Sequence, residues 1–343
     1  MSGIATRYRK LSATLLPLSA VLGLLLLHAT AAQAAPFAYI SNGASSTVSV
    51  LDTATNTVIA TVPVGTGPGA VAVTPDGARV YVANESSSSV SVISTATNTV
   101  TATVTVGSLP RGVAVTPDSA QVYVVNAGAG TVSVISTATN TVTATVPVGA
   151  SPNGVAVTPD GAAVYVANQN SNTMSVISTA TNSVTTTVPV GNSPFGVAVT
   201  PDSARVYVGN SGGDGNVSVI NTITNAVTDT VTVGIGPFGV AVTPNGARVY
   251  VANYLSGNVS VISTATNTVT ATVPVGTNPY GVAATPDGAR VYVANNGSNT
   301  VSVISTATNT VTATVAVGTA PLAMGLFIVR SDVIFYDGFE ALP

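Results

Sequence analysis

The chain of 343 residues contains no cysteine, no tryptophan and a single histidine, and only 6% of its residues are charged. Residues 1–34 read as a leader, argued below, and they take Arg7, Arg9, Lys10 and His28 with them. From Ala35 onward there is no lysine or histidine, and six arginines face twelve Asp and Glu, a net charge of −6. Each absence removes a chemistry. Without His or Cys there is no Ser-His-Asp or Cys-His nucleophile system, no His/Cys zinc or copper site and no His- or Cys-ligated haem. Without Lys there is no Schiff base. Without Cys there is no disulfide, and stability rests on core burial. Six scattered arginines on an acidic chain build no phosphate-tracking surface, so a nucleic-acid partner is not expected. No catalytic residue, metal site or cofactor is expected on these grounds.

What is present is mostly Val, Thr, Ala, Ser, Asn and Gly. Disordered chains are poor in β-branched residues, so low charge here does not mean disorder. The polar surface must be largely neutral hydroxyls and amides, which steer a partner weakly. At the N-terminus, Arg7, Arg9 and Lys10 precede an apolar run over 11–27 that contains Leu24-Leu25-Leu26-Leu27, and Ala32-Gln33-Ala34 is an A-x-A cleavage signal. The expectation is an exported protein whose mature chain starts at Ala35 and resides in the periplasm, on the cell surface or outside the cell. An uncleaved anchor is the competing reading, disfavoured by Pro17 and by the Ser and Thr in the run. No second apolar run of about 20 residues follows, so the mature chain is expected to have no transmembrane segment.

A tyrosine recurs at Tyr39, Tyr81, Tyr123, Tyr165, Tyr207, Tyr250 and Tyr292, with a spacing of 42 residues throughout except for one of 43. The extra residue falls in Ser211-Gly212-Gly213-Asp214-Gly215-Asn216. Such a period means stacked units that cannot bury their faces alone. The unit beginning at Gly281 shows four strand signals: 281–285, Val291–Ala294, Thr300–Ile304 and Thr310–Val317. Pro286-Asp287-Gly288 makes the first turn and residues 305–309 make the last. Four antiparallel strands per unit of about 40 residues describe a propeller blade. Pro63, Pro147, Pro189 and Pro274 fall inside the fourth strand, which an edge tolerates and a centre does not. Strand four is therefore outermost, and the small GVAV-type strand lines the channel. The chain enters on a second strand (Phe37–Ile40) and leaves on a first strand (Leu322–Val329). The expectation is an all-β, seven-bladed propeller whose ring is closed by three N-terminal strands plus one C-terminal strand, with three segments: 1–34 leader, 35–329 propeller and 330–343 tail.

Val291-Tyr292-Val293-Ala294-Asn295, Asn299-Thr300-Val301-Ser302-Val303-Ile304, Pro279-Tyr280-Gly281-Val282 and Thr285-Pro286-Asp287-Gly288 resemble the YVTN-type β-propeller repeat of surface-layer-like and exported proteins. The resemblance spans Phe37–Val329 and implies seven blades. It does not imply one function: many such proteins are non-catalytic binding proteins, and related propellers include lactonases and redox enzymes. The family's usual Asp after the third strand is kept only as Asp52, with Ser94, Ser136, Ser178, Asn221, Ser263 and Ser305 in its place. These residues are expected to cap the same turn through their side chains. The Trp signature of quinoprotein blades is missing.

In such a blade the loops after strands two and four share one face, and those after strands one and three share the other. On the second face, Asp76, Asp118, Asp160, Asp202 and Asp287 suggest a carboxylate ring for cations. Turn chemistry is the favoured reading, with Arg79, Arg205, Arg248 and Arg290 as nearby counter-charges. The first face is where the copies differ. The residue after the proline entering each inner strand is Gly69, Arg111, Asn153, Phe195, Phe238, Tyr280 or Leu322. Phe195, Phe238 and Tyr280 form an aromatic arc, Tyr254 lies on the same face, and Arg111 and Asn153 add one charge and one amide. These six are the candidate ligand-binding residues. The competing reading is that the rings plug the channel. Asp214 in its glycine-rich loop lacks the several acidic ligands of a calcium loop. Carboxylate pairing for glycoside chemistry would need Glu85, Asp214 or Asp229 to converge. The tail 332–340 resembles a short aromatic-acidic motif of exported Gram-negative proteins, read either as a recognition tag or as an apolar segment packed over a blade edge. The functional expectation is a non-catalytic exported module that binds a protein, peptide, glycan or small molecule. A metal-dependent lactonase-like or other hydrolase is the alternative.

Overall fold

The computed structural model describes residues 36–213 and 215–329; the leader, Asp214 and the tail lie outside the described residues. Seven antiparallel sheets are present, six of four strands and one of three. The three-stranded sheet is β1 (Phe37–Asn42), β2 (Thr47–Asp52) and β3 (Thr57–Pro63), and the next is β4 (Pro68–Val73), β5 (Arg79–Asn84), β6 (Ser89–Ser94) and β7 (Thr99–Thr105). The latter is blade 1. Blades 2 to 6 repeat it over 110–147, 152–189, 194–232, 237–274 and 279–316. Among the described residues the one helical element is a single 3-10 turn, Gln169–Ser171.

The strand order follows from the residues. Outer strands such as β3 and β7 show an exposed pattern with one buried valine, Val62 or Val104, as a half-solvated edge should. Pro63, Pro147, Pro189 and Pro274 end those outer strands. The central strands are buried, and the second strand of each blade ends in an asparagine at zero exposure. Asn84 shows the reason: its Nδ2 donates to Ser91 at 3.0 Å and Ser89 at 3.2 Å on the neighbouring strand, an internal tie at the end of the ladder.

The seven tyrosines are fully buried, and each hydroxyl donates to an asparagine one blade further on. Tyr39 reaches Asn98 (2.9 Å), Tyr123 reaches Asn182 (2.6 Å), Tyr207 reaches Asn267 (2.8 Å), and Tyr292 reaches back to Asn56 (2.6 Å). The acceptor asparagines all sit at positive φ, between 49° and 55°, the left-handed conformation that asparagine tolerates. One residue thus forms the turn and joins the blades.

The ring closes as expected. Residues 320–329 run antiparallel to β1, with Tyr39 N–H donating to Phe327 (2.8 Å), Leu322 N–H to Ser41 (3.0 Å) and Val329 N–H to Phe37 (2.9 Å). The seventh blade therefore takes three strands from the N-terminal part and one from the C-terminal part. That fourth strand is irregular: Ala323 (φ 42°) and Gly325 (φ 101°) bend it, so it makes two isolated bridges rather than a full ladder.

The capping expectation holds at two turns and fails at five. Asp52 Oδ1 accepts from Ala54 N–H (2.7 Å) and Asn221 Oδ1 from Ile223 N–H (2.9 Å). At the serine positions the backbone closes the turn instead, as in Asn98 N–H to the Ser94 carbonyl (2.8 Å). The shorter hydroxyl is replaced there by a main-chain bond. Among the described residues no helix is long and apolar enough to cross a membrane.

Candidate functional site

Loop contacts define two faces. The loop after β5 bonds the loop before β4, with Glu85 N–H to the Gly67 carbonyl at 2.9 Å, and this is the mouth face. The loop after β4 bonds the loop after β6, with Thr95 N–H to the Ala78 carbonyl at 3.1 Å, and this is the turn face.

On the mouth face every inner strand of blades 1 to 6 carries a bulge just after its proline; β4, for example, slips between Pro68 and Val71 against β5. Neighbouring inner strands approach so closely there that a Cβ on Gly196 would lie 1.9 Å from the Phe238 carbonyl oxygen. Only glycine fits that position. The residue just before it is the variable one.

The rings of three successive blades meet. Phe195 stacks on Phe238 (centroids 4.3 Å apart, 14° between planes), and Tyr280 meets Phe195 and Phe238 edge-on at 5.7 and 5.1 Å. Tyr254, from the loop after the second strand of blade 5, stacks on Phe238 at 4.7 Å. Burial in this cluster pushes the Tyr280 hydroxyl well above its ordinary range, with the nearby Arg111 charge opposing. The arc is also part of a core. Phe195 joins one apolar cluster with Ala70, Val113 and Met324, which come from blades 1 and 2 and the closing strand. Side chains from opposite sides of the ring thus meet across its axis, and the channel is plugged beneath the rings. The bend at Ala323 and Gly325 brings Met324 there. Phe195 is 5% exposed, while Phe238, Tyr280 and Tyr254 stay half-buried and present their outer edges.

The other half of the mouth is polar. Arg111 Nη2 and Nε donate to Glu85 Oε1 at 3.1 and 3.2 Å, and Nη1 donates to Asn153 Oδ1 at 3.1 Å. Asn153, at zero exposure, donates on to Gln169 Oε1 at 2.6 Å. Glu85 and Gln169 hold the loop position that Tyr254 holds in blade 5, the residue after the asparagine that ends each second strand. Sequence reasoning took Tyr254 from this second ring and missed the other two as neighbours of Arg111 and Asn153. The signal was the same register in each blade. A cavity of about 300 Å³ adjoins Tyr254, lined by Leu255, Asn278 and Ser298.

On the turn face the aspartates do turn chemistry. Asp118 Oδ1 accepts from the Thr116 hydroxyl (2.6 Å) and Ala120 N–H (3.0 Å), and Asp76, Asp160, Asp202 and Asp287 repeat the pattern. These bonds hold the Asp118, Asp160 and Asp202 carboxyls below their ordinary range. The expected Arg counter-charges act at a distance, Arg205 on Asp202 and Arg290 on Asp287, without closing ion pairs; among the described residues the ion pair is Arg111–Glu85. Arg79, Arg205, Arg248 and Arg290 instead donate to backbone carbonyls one blade on, of Thr137, Thr264, Thr306 and Thr53. Asp229 sits on the outermost strand of blade 4, bonded to the Thr230 N–H, and Glu85 stands at the mouth of blade 1. Among the described residues no three His, Cys, Asp or Glu group to hold a metal.

Three solved structures share the fold: a hydrazine synthase of Kuenenia stuttgartiensis (TM-score 0.54, 22% identity, 70% of this chain and 96% of that one), a functionally unknown protein from Desulfotomaculum acetoxidans DSM 771 (0.72, 19%, 84% and 99%), and the dihydro-heme d1 dehydrogenase NirN in complex with DHE (0.61, 16%, 82% and 63%). At these identities the likeness is one of fold alone. No curated protein matches the chain. One family model, described as lactonase, 7-bladed beta-propeller, matches residues 28–145, 53–187 and 178–275, in overlapping registers as a repeat must. Those matches together span well over half of the chain, which belongs to the seven-bladed β-propeller lactonase family.

Proposed function

We propose that the protein is an exported, non-catalytic propeller of the YVTN type that binds a ligand on its mouth face at the cell surface or in the periplasm. One observation carries this reading. On a ring otherwise built of near-identical Thr/Val/Asn/Gly blades, aromatic side chains that the other blades lack gather on one face, as half-buried Phe238, Tyr254 and Tyr280 beside the Arg111–Glu85–Asn153–Gln169 chain. Aromatic edges beside a few fixed polar groups are what an orienting binding site requires. The leader-like residues 1–34 support export. The test is a glycan and peptide array probed with fluorescent wild type and with Tyr254→Ala/Phe238→Ala. Array features bound by wild type and lost in the variant are the expected result. Equal binding by both, or binding by neither, sinks the site.

The family match favours a second reading, a hydrolase acting on a cyclic ester. A metal-assisted version fits the described donor set poorly, since Glu85 is the one carboxylate at the mouth and Arg111 already engages it. A metal-free version would assign proton transfer to Glu85 and anion stabilisation to Arg111. A pH-stat assay on simple lactones, comparing wild type with Glu85→Gln, separates the readings: turnover lost in Glu85→Gln establishes the hydrolase and removes the first proposal's word "non-catalytic".

A further inference from the structure

The turn face has a repeated device that is present at four of the seven blade junctions and missing at three, where Phe37, Gln121 and Ala163 stand in the arginine's place. At four of the blade junctions the first residue of the second strand is an arginine. Its guanidinium spans the junction and its Nη1 donates to the carbonyl of the threonine that opens the following blade's last turn: Arg79 to Thr137, Arg205 to Thr264, Arg248 to Thr306 and Arg290 to Thr53. These donor and acceptor stand 58 residues apart from blade 1 to blade 2. The same offset from Gln121 leads to Thr179, at the junction of blades 2 and 3.

There the slot is vacated. Gln121 is too short and carries no charge; its amide lies 3.0 Å from the Tyr123 hydroxyl, whose proton goes to Asn182 Oδ1 at 2.6 Å. Among the described residues no donor reaches the Thr179 carbonyl. In place of the guanidinium is an open-mouthed cavity of about 350 Å³ lined by Gln121, Thr179, Asp118 and Asp160. One water needs on the order of 15 Å³, so the space exceeds a packing defect. The two carboxylates are held in their charged form by the Thr116 and Thr158 hydroxyls and by backbone N–H groups, and each of those bonds uses Oδ1. Blades 1, 4 and 6 set an arginine beside the equivalent aspartate and blade 5 sets Arg248 beside Asn245; blades 2 and 3 set Gln121 and Ala163 beside Asp118 and Asp160. The Tyr123 hydroxyl, pushed up to about 12 by burial and by Asp118, has no cation near it, whereas an arginine opposes the shift at Tyr81, Tyr207 and Tyr250.

We propose that this cavity is a receiving slot for the guanidinium of an arginine side chain presented by a partner chain. The ligand chemistry is set by the four filled copies: a guanidinium whose Nη1 meets one carbonyl, with an aspartate of its own blade beside it in three of the four. A compact ammonium lacks the guanidinium's planar fork, and a neutral urea lacks the charge. The slot lies on the opposite face from the aromatic mouth, so the proposal stands independently of the function proposed above.

The probe is N-acetyl-L-arginine amide, titrated into the full-length protein and followed by NMR shifts of residues 116–121 and 179. N-acetyl-lysine amide and N-acetyl-citrulline amide are run beside it. Wild type is expected to bind the arginine probe in the millimolar range or tighter, the lysine probe several-fold more weakly and the citrulline probe at least tenfold more weakly. Gln121→Arg supplies the missing guanidinium from within, so it should raise the melting temperature and abolish the response. Asp118→Asn/Asp160→Asn should weaken it at least tenfold with the fold intact by circular dichroism. An equal response in wild type and Gln121→Arg, equal shifts from arginine and citrulline, or no response in wild type overturns the proposal.

Discussion

A single hydroxyl-to-amide bond, repeated around the ring, explains why the tyrosine recurs. Each buried ring packs in the apolar layer shared by its own blade and the next, and its oxygen is satisfied by that next blade, so the same residue serves core and junction. Removing the oxygen from Tyr207 as Tyr207→Phe leaves the packing and deletes the 2.8 Å bond to Asn267. A net bond of this kind is worth about 1 kcal/mol, and an unfolding free energy lowered by that amount in urea titration is the expected result. Asn267 carries a second burden, since its φ is 49°. Asn267→Ala should therefore cost about 1 kcal/mol more than Asn267→Gly, because alanine pays for the left-handed conformation and glycine does not. Equal midpoints for the two would show that backbone strain plays no part. The tyrosine was legible from its spacing. Its partner was not, because acceptor and donor lie 59 or 60 residues apart, farther than one period, and only the ring's curvature joins them.

The inner strands set the limits on what the mouth can display. Their bulge presses one residue against the neighbouring backbone, so Gly196→Ala places a methyl 1.9 Å from the Phe238 carbonyl. Overpacking of a core typically costs about 1–3 kcal/mol, and a clash with backbone belongs at the upper end or beyond. The variant should lose at least about 3 kcal/mol in urea titration or fail to accumulate as soluble protein. Blade 1 alone of blades 1 to 6 bears alanine, Ala70, at this position. Strand number, order and closure could be read from proline placement and from the split seventh unit. The plug could not. It depends on positive φ at Ala323 and Gly325, and an alanine in that conformation carries no sequence signal. The aromatic arc was legible as a set of positions, but stacking over Met324 is a property of how the rings converge.

Across the whole molecule, the missing Lys and His leave residues 36–329 with only Asp, Glu, Tyr and Arg to titrate. Tyr123, Tyr165 and Tyr292 are raised to about 12 by burial, against about 10 in an unfolded chain. A raised folded value means that the neutral form is favoured by folding. That stability is complete below pH 10 and is lost as the pH climbs through about 12. Asp118, Asp160 and Asp202 are lowered, so their contribution is complete above the unfolded carboxyl range and lost as the pH falls beneath it. Thermal melts should therefore give a flat midpoint from about pH 6 to 9, a steep fall above 10 and a shallower one below 4. A midpoint that slopes between pH 6 and 9 contradicts this account.

The closing strand has a mechanical consequence. Val329 N–H bonds the Phe37 carbonyl, so both ends of the described chain leave the ring at the same end of one antiparallel pair. Its bonds run across the strands. Tension applied between the termini therefore loads them one after another, like a zip, rather than all together in shear. Under force the ring parts first at its own seam, and the six blades behind it then peel away in chain order from whichever side yields.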